Sequence, residues 1–366
     1  MKRKPSIHKI VITGGPCAGK TTALSWIQNA FSQRGYAVLF LSEVATELIT
    51  GGIAPWTCQS NGAFQCCQLR MQLEKERIYQ EAALCMKAEK VLVVCDRGAM
   101  DNRAYMTEEE FHSILAQLGK SEVELRDNYD AVFHLVTAAK GAEDYYTLEN
   151  NAARRESPQE AQALDDRIIA AWAGHPHLRV IDNSSGFEEK MVRLIREISS
   201  FLGEPEPMEV ERKFLIAYPD LAQLEAMPHC QKVDIMQTYL KAPAGEETRV
   251  RQRGCNGSYI YFKTTKRRIS HLKRVEIEER LGQAEYLSLL MEAAPNYRPI
   301  HKTRYCLVWH SQYFEIDIYP FWQDQAIVEI ELSQEGDPVE FPDFLQVIRE
   351  VTQEEDFTNR ALARVK

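Results

Sequence analysis

The sequence predicts an α/β domain built on a parallel sheet with helices on both faces, followed by a domain of antiparallel strands. Three observations carry that prediction. Before residue 203, short β-branched runs alternate with helical stretches, the rhythm of strand–helix–strand units. After residue 208, most runs alternate polar and apolar residues with a period of two, as half-buried antiparallel strands do. Between them, Gly203-Glu204-Pro205-Glu206-Pro207 puts two prolines and a glycine where neither helix nor strand continues. Residues 1–203 and 208–366 are therefore expected to form separate domains, in keeping with roughly 150 residues per domain.

Composition limits the function classes. Hydrophobic residues make up 45% and charged residues 27% of the 366, which fits a globular protein and excludes a disordered chain. Asp and Glu number 53 against 44 Lys and Arg, a formal charge of -9. That argues against nucleic-acid or anionic-membrane binding through bulk charge, and leaves open a local basic site, one for a phospholipid headgroup included. The longest apolar runs, such as Val91-Leu92-Val93-Val94, are strand-sized, far short of the ~20 residues that cross a bilayer. Lys2-Arg3-Lys4 is followed only by Ile10-Val11-Ile12, so no signal-peptide apolar region develops. Nine cysteines without a C-x-x-C pair suit reduced thiols. A cytoplasmic location is expected; oligomeric state is not legible.

The first-domain strands are expected at Ile10–Thr13, Ala37–Leu41, Val91–Cys95, Ala131–Val136 and Arg179–Ile181. The first runs into Gly14-Gly15-Pro16-Cys17-Ala18-Gly19-Lys20-Thr21, which satisfies G-x-x-x-x-G-K-[ST], and a helical stretch begins at Thr22. Glycines let successive N–H groups turn toward phosphate oxygens, and the helix N-terminus adds a favourable dipole. Residues Gly14 to Thr22 are thus nucleotide-binding candidates. Lys20 would bridge the outer phosphates and Thr21 would ligate Mg²⁺. The second strand ends in Ser42-Glu43, and the third in Asp96-Arg97-Gly98 with Asp101 beyond. Carboxylates at these strand ends hold Mg²⁺ or accept the proton of an attacking hydroxyl, which makes Glu43 and Asp96 catalytic candidates. Glu43 also reads as an ordinary helix-start acid. Arg154, Arg155 and Arg167 would close over a transferring phosphoryl group or form a solvated basic face. The loop Gly51–Trp56 would hold a substrate ring or be a surface turn.

The phosphate loop, Ser42-Glu43-Val44-Ala45 and Asp96-Arg97-Gly98 resemble nicotinamide-riboside-kinase-type and deoxynucleoside-kinase-type P-loop domains, of the AAA-type ATPase kind, over about residues 7–200. The resemblance implies an ATP or GTP site with Glu43 as general base. It gives Asp96 and Arg97 to Mg²⁺ and phosphate, and Arg154 and Arg155 to a lid. A small-molecule kinase or NTPase activity is implied, with no acceptor indicated.

In the second half, charges recur at alternate positions: Glu209, Glu211 and Lys213; Arg249, Arg251 and Arg253; Arg274, Glu276 and Glu278; Lys302 and Arg304; Glu315 and Asp317; Glu329 and Glu331. Lys263 ends the aromatic run Tyr259–Phe262. One such strand would be the wet side of an open sheet. Seven of them, three with E-x-E, place carboxylates that repel one another unless cations neutralise them. Curling the charged face inward would gather carboxylates for a divalent metal beside Arg and Lys for a polyanionic phosphate.

This series resembles the CYTH, or triphosphate tunnel metalloenzyme, superfamily over about residues 208–362, ending with Phe357-Thr358-Asn359. The resemblance implies an eight-stranded antiparallel tunnel for a triphosphate. Lys213, Arg249, Arg251, Lys263, Arg274, Lys302 and Arg304 would grip phosphates. Glu209, Glu211, Asp317, Glu329 and Glu331 would hold Mg²⁺ or Mn²⁺, with Glu276 and Glu278 on one side, and Glu209 and Glu211 would serve catalysis. A P-loop half joined to such a tunnel also resembles plant proteins that join a uridine-kinase-like domain to a CYTH domain. It is similar as well to animal GTP-binding proteins implicated in TRP-channel trafficking.

Two functions follow as expectations. One is a metal-dependent triphosphatase acting on inorganic triphosphate or a nucleoside triphosphate. The other is a nucleotide-gated regulatory module whose tunnel binds a phosphorylated metabolite or lipid headgroup without turnover. A nucleic-acid role ranks below both, because the basic residues fall on mixed-charge strands.

Overall fold

The computed structural model describes residues 5–143, 157–204, 210–243, 246–268, 274–332 and 336–365. The chain divides into two compact units, Met1–Pro205 and Glu206–Lys366.

The first unit runs β1 (Ser6–Thr13), α1 (Lys20–Ser32), β2 (Tyr36–Leu41), α2 (Val44–Thr50), α3 (Asn61–Leu84), β3 (Lys90–Asp96), a 3-10 segment (Ala99–Tyr105), α4 (Glu108–Leu118), α5 (Glu122–Arg126), β4 (Ala131–Leu135), α6 (Pro158–Trp172), β5 (Leu178–Ile181) and α7 (Phe187–Phe201). Its five strands are parallel in the order β2-β3-β1-β4-β5. Near-continuous apolar runs on β1, β3 and β4 suit strands covered on both faces. On one face Ile10, Ile12, Leu92, Val94 and Phe133 meet Ala23, Ile27 and Phe31 of α1 and Met191, Leu194 and Ile198 of α7. Helix starts are written locally. Thr107 with Glu110, Ser121 with Glu124 and Ser157 with Glu160 form reciprocal caps, and Pro158 opens α6.

The second unit runs β6 (Val210–Ala217), α8 (Leu221–Glu225), β7 (Cys230–Leu240), β8 (Glu246–Cys255), β9 (Ser258–Arg268), β10 (Arg274–Leu281), α9 (Gln283–Leu289), β11 (Ile300–Trp309), β12 (Gln312–Ile318), β13 (Gln325–Leu332), β14 (Val347–Glu350) and α10 (Asn359–Ala363). The strands form an antiparallel sheet in the order β10-β9-β8-β7-β11-β12-β13-β6-β14. Among the described residues it has nine strands where eight were expected. The addition is β14, which pairs with β6 across a register shift.

Register settles which residues share a face. Arg251 lies opposite Gln237, Lys302 opposite Ile235, Arg304 opposite Asp317, Glu315 opposite Glu329, and Glu329 opposite Lys213. The other face of β6, β11, β12 and β13 carries Phe214, Ile216, Tyr305, Leu307, Phe314, Ile316, Val328 and Ile330, packed on Leu224 of α8 and on Leu345. The centre of the charged face is also shut off from water. Asp317 is 0% exposed, Lys302 3% and Arg304 7%. A flat sheet facing bulk solvent would leave those ions hydrated, so this face curls around a channel. At one end of it Tyr239, Ile300 and Ile327 cluster with Phe357, Leu362 and Ala363 around α10.

Candidate functional site

The phosphate loop leaves β1 and enters α1 through left-handed backbone at Cys17 (φ 56°) and Gly19 (φ 90°). Gly14 has φ 140°, and a Cβ there would lie 2.0 Å from the Leu135 carbonyl oxygen, so no other residue fits. The loop is held from beneath by groups that no motif pointed to. Asp165 of α6, wholly buried, accepts from the N–H of Gly15 (2.9 Å) and of Thr137 (3.3 Å) and pairs with His134 Nε2 and Lys140 Nζ, each at 3.0 Å. Burial would raise its carboxyl, but His134 and Lys140 hold it well below the usual carboxylate range. Thr137 Oγ1 donates to the Pro16 carbonyl. Lys190 of α7 donates to the carbonyls of Ala18 (3.2 Å) and Val136 (2.7 Å) and to Asn183 Oδ1 (2.8 Å), and burial lowers it to about 8.

Lys20 reaches back over the loop to the Gly14 carbonyl at 3.3 Å. Burial and the charge of Arg97 bring its pKa down to about 8, against the pull of Glu43, Asp96 and Asp101. Those four groups therefore share one electrostatic site at the ends of β1, β2 and β3. Thr21 and Thr22 are exposed at the start of α1.

Glu43 is bound to Arg97 Nε and accepts from Thr46 Oγ1 at 2.7 Å. Burial pushes its carboxyl up, but Arg97 and Lys20 draw it down to about 2. A carboxylate so acidic is a weak proton acceptor at neutral pH, which counts against the general-base role implied by the resemblance. Asp96 is its opposite. Its Oδ1 is buried without a hydrogen-bond partner among the described residues, and burial together with Glu43 raises its pKa. An orphaned hard oxygen beside a phosphate loop fits a divalent cation or a proton acceptor. Asp101 is spent on structure, accepting from Thr13 Oγ1 and from Gly98 N–H (2.8 Å). Arg97 holds left-handed backbone at φ 70°, a strained position at the centre of this cluster. Arg167 donates to the Ala104 carbonyl (2.9 Å) and so ties α6 to the 3-10 segment. Trp56 is 73% exposed. Arg154 and Arg155 lie outside the described residues.

In the channel, acids gather on β12, β13 and β6. Arg304 Nε and Nη2 donate to the two Asp317 oxygens, each at 2.7 Å; Nη2 also reaches Glu329 (2.7 Å), and Nη1 bonds Glu315. Lys302 bonds Asp317 and lies 3.4 Å from Asn359 Oδ1. Lys213 bridges Glu211 (2.9 Å) and Glu329 (3.0 Å). Burial would raise Glu329, but Lys213, Lys302 and Arg304 hold it well below the carboxylate range. Glu211 moves the other way, lifted by burial and by the charge of Glu329. Glu331 is exposed, in register with Glu211.

The wall formed by β8 and β9 is cationic. Arg251 bonds Glu278 (2.7 Å), which also accepts from Thr264 Oγ1 (3.0 Å). Arg251 Nε is buried without a hydrogen-bond partner among the described residues. Burial and the charges of Arg249, Arg253 and Arg304 lower the Arg251 pKa against the pull of Glu278, the mark of cations crowded together beyond what one carboxylate offsets.

The register corrects one expectation. Lys263 pairs with Val250 and therefore stands on the face opposite Arg249 and Arg251, whereas Lys266, three residues on, falls on the charged side with Thr264. Arg274 and Glu276 lie on β10 in register with Arg268 and Lys266, with side chains outside the description; Glu209 lies outside the described residues. Among the described residues no three His, Cys, Asp or Glu side chains are grouped to hold a metal ion, because the channel carboxylates are taken up by Arg304, Lys302 and Lys213. No helix among them is long and apolar enough to cross a membrane.

Comparison with known proteins bears on both units. Residues 9–190 match the AAA domain family model, so the N-terminal part is an AAA-type P-loop domain. No curated protein matches the chain. Among solved structures, the inorganic triphosphatase NE1496 is 28% identical over 43% of this chain and 96% of its own, with a TM-score of 0.30. The PH1012 protein from Pyrococcus horikoshii OT3 is 16% identical over 35% of this chain and 81% of its own, with a TM-score of 0.25. HpAC1 from Hippeastrum, described as a putative adenylyl cyclase with a dominant triphosphatase activity, is 17% identical over 35% of this chain and 80% of its own, with a TM-score of 0.25.

Proposed function

We propose that the chain joins a nucleoside-triphosphate-binding P-loop domain, residues 1–203, to a triphosphate-hydrolysing channel domain of CYTH type, residues 208–366. The observation that carries the reading is the buried charged face. Guanidinium groups crowded at Arg249, Arg251 and Arg253 share that face with the carboxylates Glu211, Glu315, Asp317 and Glu329. The first suits a polyanion. The second suits a hard divalent cation of the Mg²⁺ or Mn²⁺ kind, which Glu211, Glu329 and Glu331 would hold and which would supply an activated water at the terminal phosphorus.

The chain's own residues do the rest. Arg251 Nε offers an unused donor to a phosphate oxygen. Arg304, held along one edge by Asp317 and beyond it by Glu315 and Glu329, keeps its guanidinium plane rigid, so that a phosphate meets a preorganised charge. Burial excludes competing water. In the first domain Lys20 would contact the outer phosphates of ATP or GTP, and Thr21 would hold Mg²⁺, with Asp96 either its second ligand or the proton acceptor.

One observation favours the non-catalytic alternative, a regulatory module. Glu43 and the channel acids are neutralised by their own arginines and lysines, so binding without turnover would need no rearrangement. Phosphate release from tripolyphosphate, ATP, GTP and thiamine triphosphate, with Mg²⁺ or Mn²⁺, tests the enzyme. Glu211→Ala should remove tripolyphosphate hydrolysis and Lys20→Ala should leave it intact. No release from the wild type, or equal release by wild type and Glu211→Ala, leaves only the binding module.

A further inference from the structure

The motif supplies the phosphate loop with glycines and a lysine, but it does not say which way each peptide faces. In a trans peptide the carbonyl of one residue and the N–H of the next point in opposite directions. A group that holds a carbonyl therefore also aims the amide behind it. Three consecutive carbonyls of this loop are held by residues outside the motif. Pro16 accepts from Thr137 Oγ1, Cys17 from the Ala138 N–H at 3.4 Å, and Ala18 from Lys190 Nζ at 3.2 Å. The amides that follow, those of Cys17, Ala18 and Gly19, are thereby turned away from β4 and α7. Among the described residues the N–H groups of Ala18 and Gly19 meet no acceptor. Left-handed backbone at Cys17 (φ 56°) and Gly19 (φ 90°), on either side of Ala18, is the geometry that gathers successive N–H groups around one anion.

The holding groups are themselves fixed. Lys190, 2% exposed, directs its three protons to Ala18, to the Val136 carbonyl (2.7 Å) and to Asn183 Oδ1 (2.8 Å). Its charge is thus met by three neutral oxygens, with the Ala18 peptide between it and any ligand. Asn183 Nδ2 in turn donates to the carbonyls of Thr137 (2.8 Å) and Lys140 (2.7 Å), which joins the chain after β5 to the chain after β4. The first turn of α7 also braces the next loop residue, since a Cβ on Gly19 would lie 2.6 Å from the Phe187 ring. Cys17 keeps its positive φ between two held carbonyls, and strain of that kind persists where the surroundings over-determine it. We infer that Thr137 and Lys190 are positioning residues of the nucleotide site, which aim the loop amides at phosphate before a nucleotide arrives, and that Lys190 acts through its hydrogen bonds and not through its charge. The inference rests on reading the loop as a nucleotide site.

The test is calorimetric binding of ATP and GTP to the full chain, counting only the binding that Lys20→Ala removes, so that the channel does not contribute. Thr137→Val keeps the shape of the side chain and deletes the donor to Pro16. It should weaken both nucleotides about fivefold, and Thr137→Ser, which retains the donor, should recover most of that loss. Lys190→Met should weaken them about tenfold, and Lys190→Gln, a neutral donor, only about threefold. A merely structural role would lower the unfolding temperature of Thr137→Val and leave its affinity alone, and that result overturns the inference. Lys190→Gln as weak as Lys190→Met overturns it too, because charge would then be the cause. So does Thr137→Ser as weak as Thr137→Val. Should Lys190→Met not fold, the two Thr137 variants decide. If Lys20→Ala removes no nucleotide binding, the nucleotide reading of the loop fails first.

Discussion

In the first unit a phosphate would meet backbone: eight consecutive residues, Gly14 to Thr21, with Asp165, Thr137 and Lys190 clamping the loop before any ligand arrives. In the second it would meet side chains drawn from β6, β8, β9, β11, β12 and β13, each strand giving one to three. Backbone donors carry no net charge and need only correct dihedral angles. Side-chain cations must be buried together and kept apart by intervening carboxylates. The first site is therefore sensitive to shape and the second to charge balance.

Three experiments would break or sharpen that contrast. Arg304→Met should have the largest effect, because it leaves Asp317 and Glu329 buried without their principal cation. Removing one partner of a buried pair costs about 3–5 kcal/mol. Urea unfolding of the second unit should show that loss, and a change under about 1 kcal/mol would mean the channel is wetter than its burial indicates.

Next comes pH. The Lys20 pKa is lowered from 10.5 to about 8, so the folded protein releases that proton before the unfolded chain does. Burying the charge costs stability below pH 8, and the cost lifts as pH rises from 8 to 10.5. Nucleotide binding needs the ammonium and should move the opposite way, weakening by up to about tenfold per pH unit above 8. Tripolyphosphate binding, carried mainly by arginines, should stay nearly flat from pH 7 to 9. Titrations at several pH values would show whether the two ligands part company.

The smallest effect is the most specific. Lys266→Ala should weaken tripolyphosphate about fivefold, and Lys263→Ala less than twofold, since only the former lies on the charged face. The reverse order in a binding assay would mean that β9 is shifted by one residue.

The contrast also explains what was legible in the sequence. The phosphate loop is contiguous, so its motif placed it with the right strand and helix around it. Asp165 and Lys190 act from 150 and 172 residues away, and no local pattern ties them to Gly15 and Ala18. Alternating charges located most of the channel face, but β7 escaped notice because it presents Val233, Ile235, Gln237 and Tyr239 there, with no charge to mark the period. The Lys263 error had a remedy in the sequence. Asn256-Gly257, both with positive φ, make a two-residue turn that pairs Cys255 with Ser258. Counting back along the hairpin sets Lys263 against Val250. Glu43 acts on Lys20 of the phosphate loop, yet its acidity depends on Arg97, which sits 54 residues away.

The cluster of Phe357, Leu362 and Ala363 on Tyr239, Ile300 and Ile327 bears on how the molecule is made. Synthesis runs from the N-terminus, and these residues follow every strand whose end they stopper. While they are still inside the ribosome, the arginines and carboxylates already built lack the apolar cluster that packs on Tyr239, Ile300 and Ile327. The P-loop has no such delay, since β5 and α7 emerge well before. A nascent chain would therefore complete its phosphate loop first and the surroundings of its charged face last.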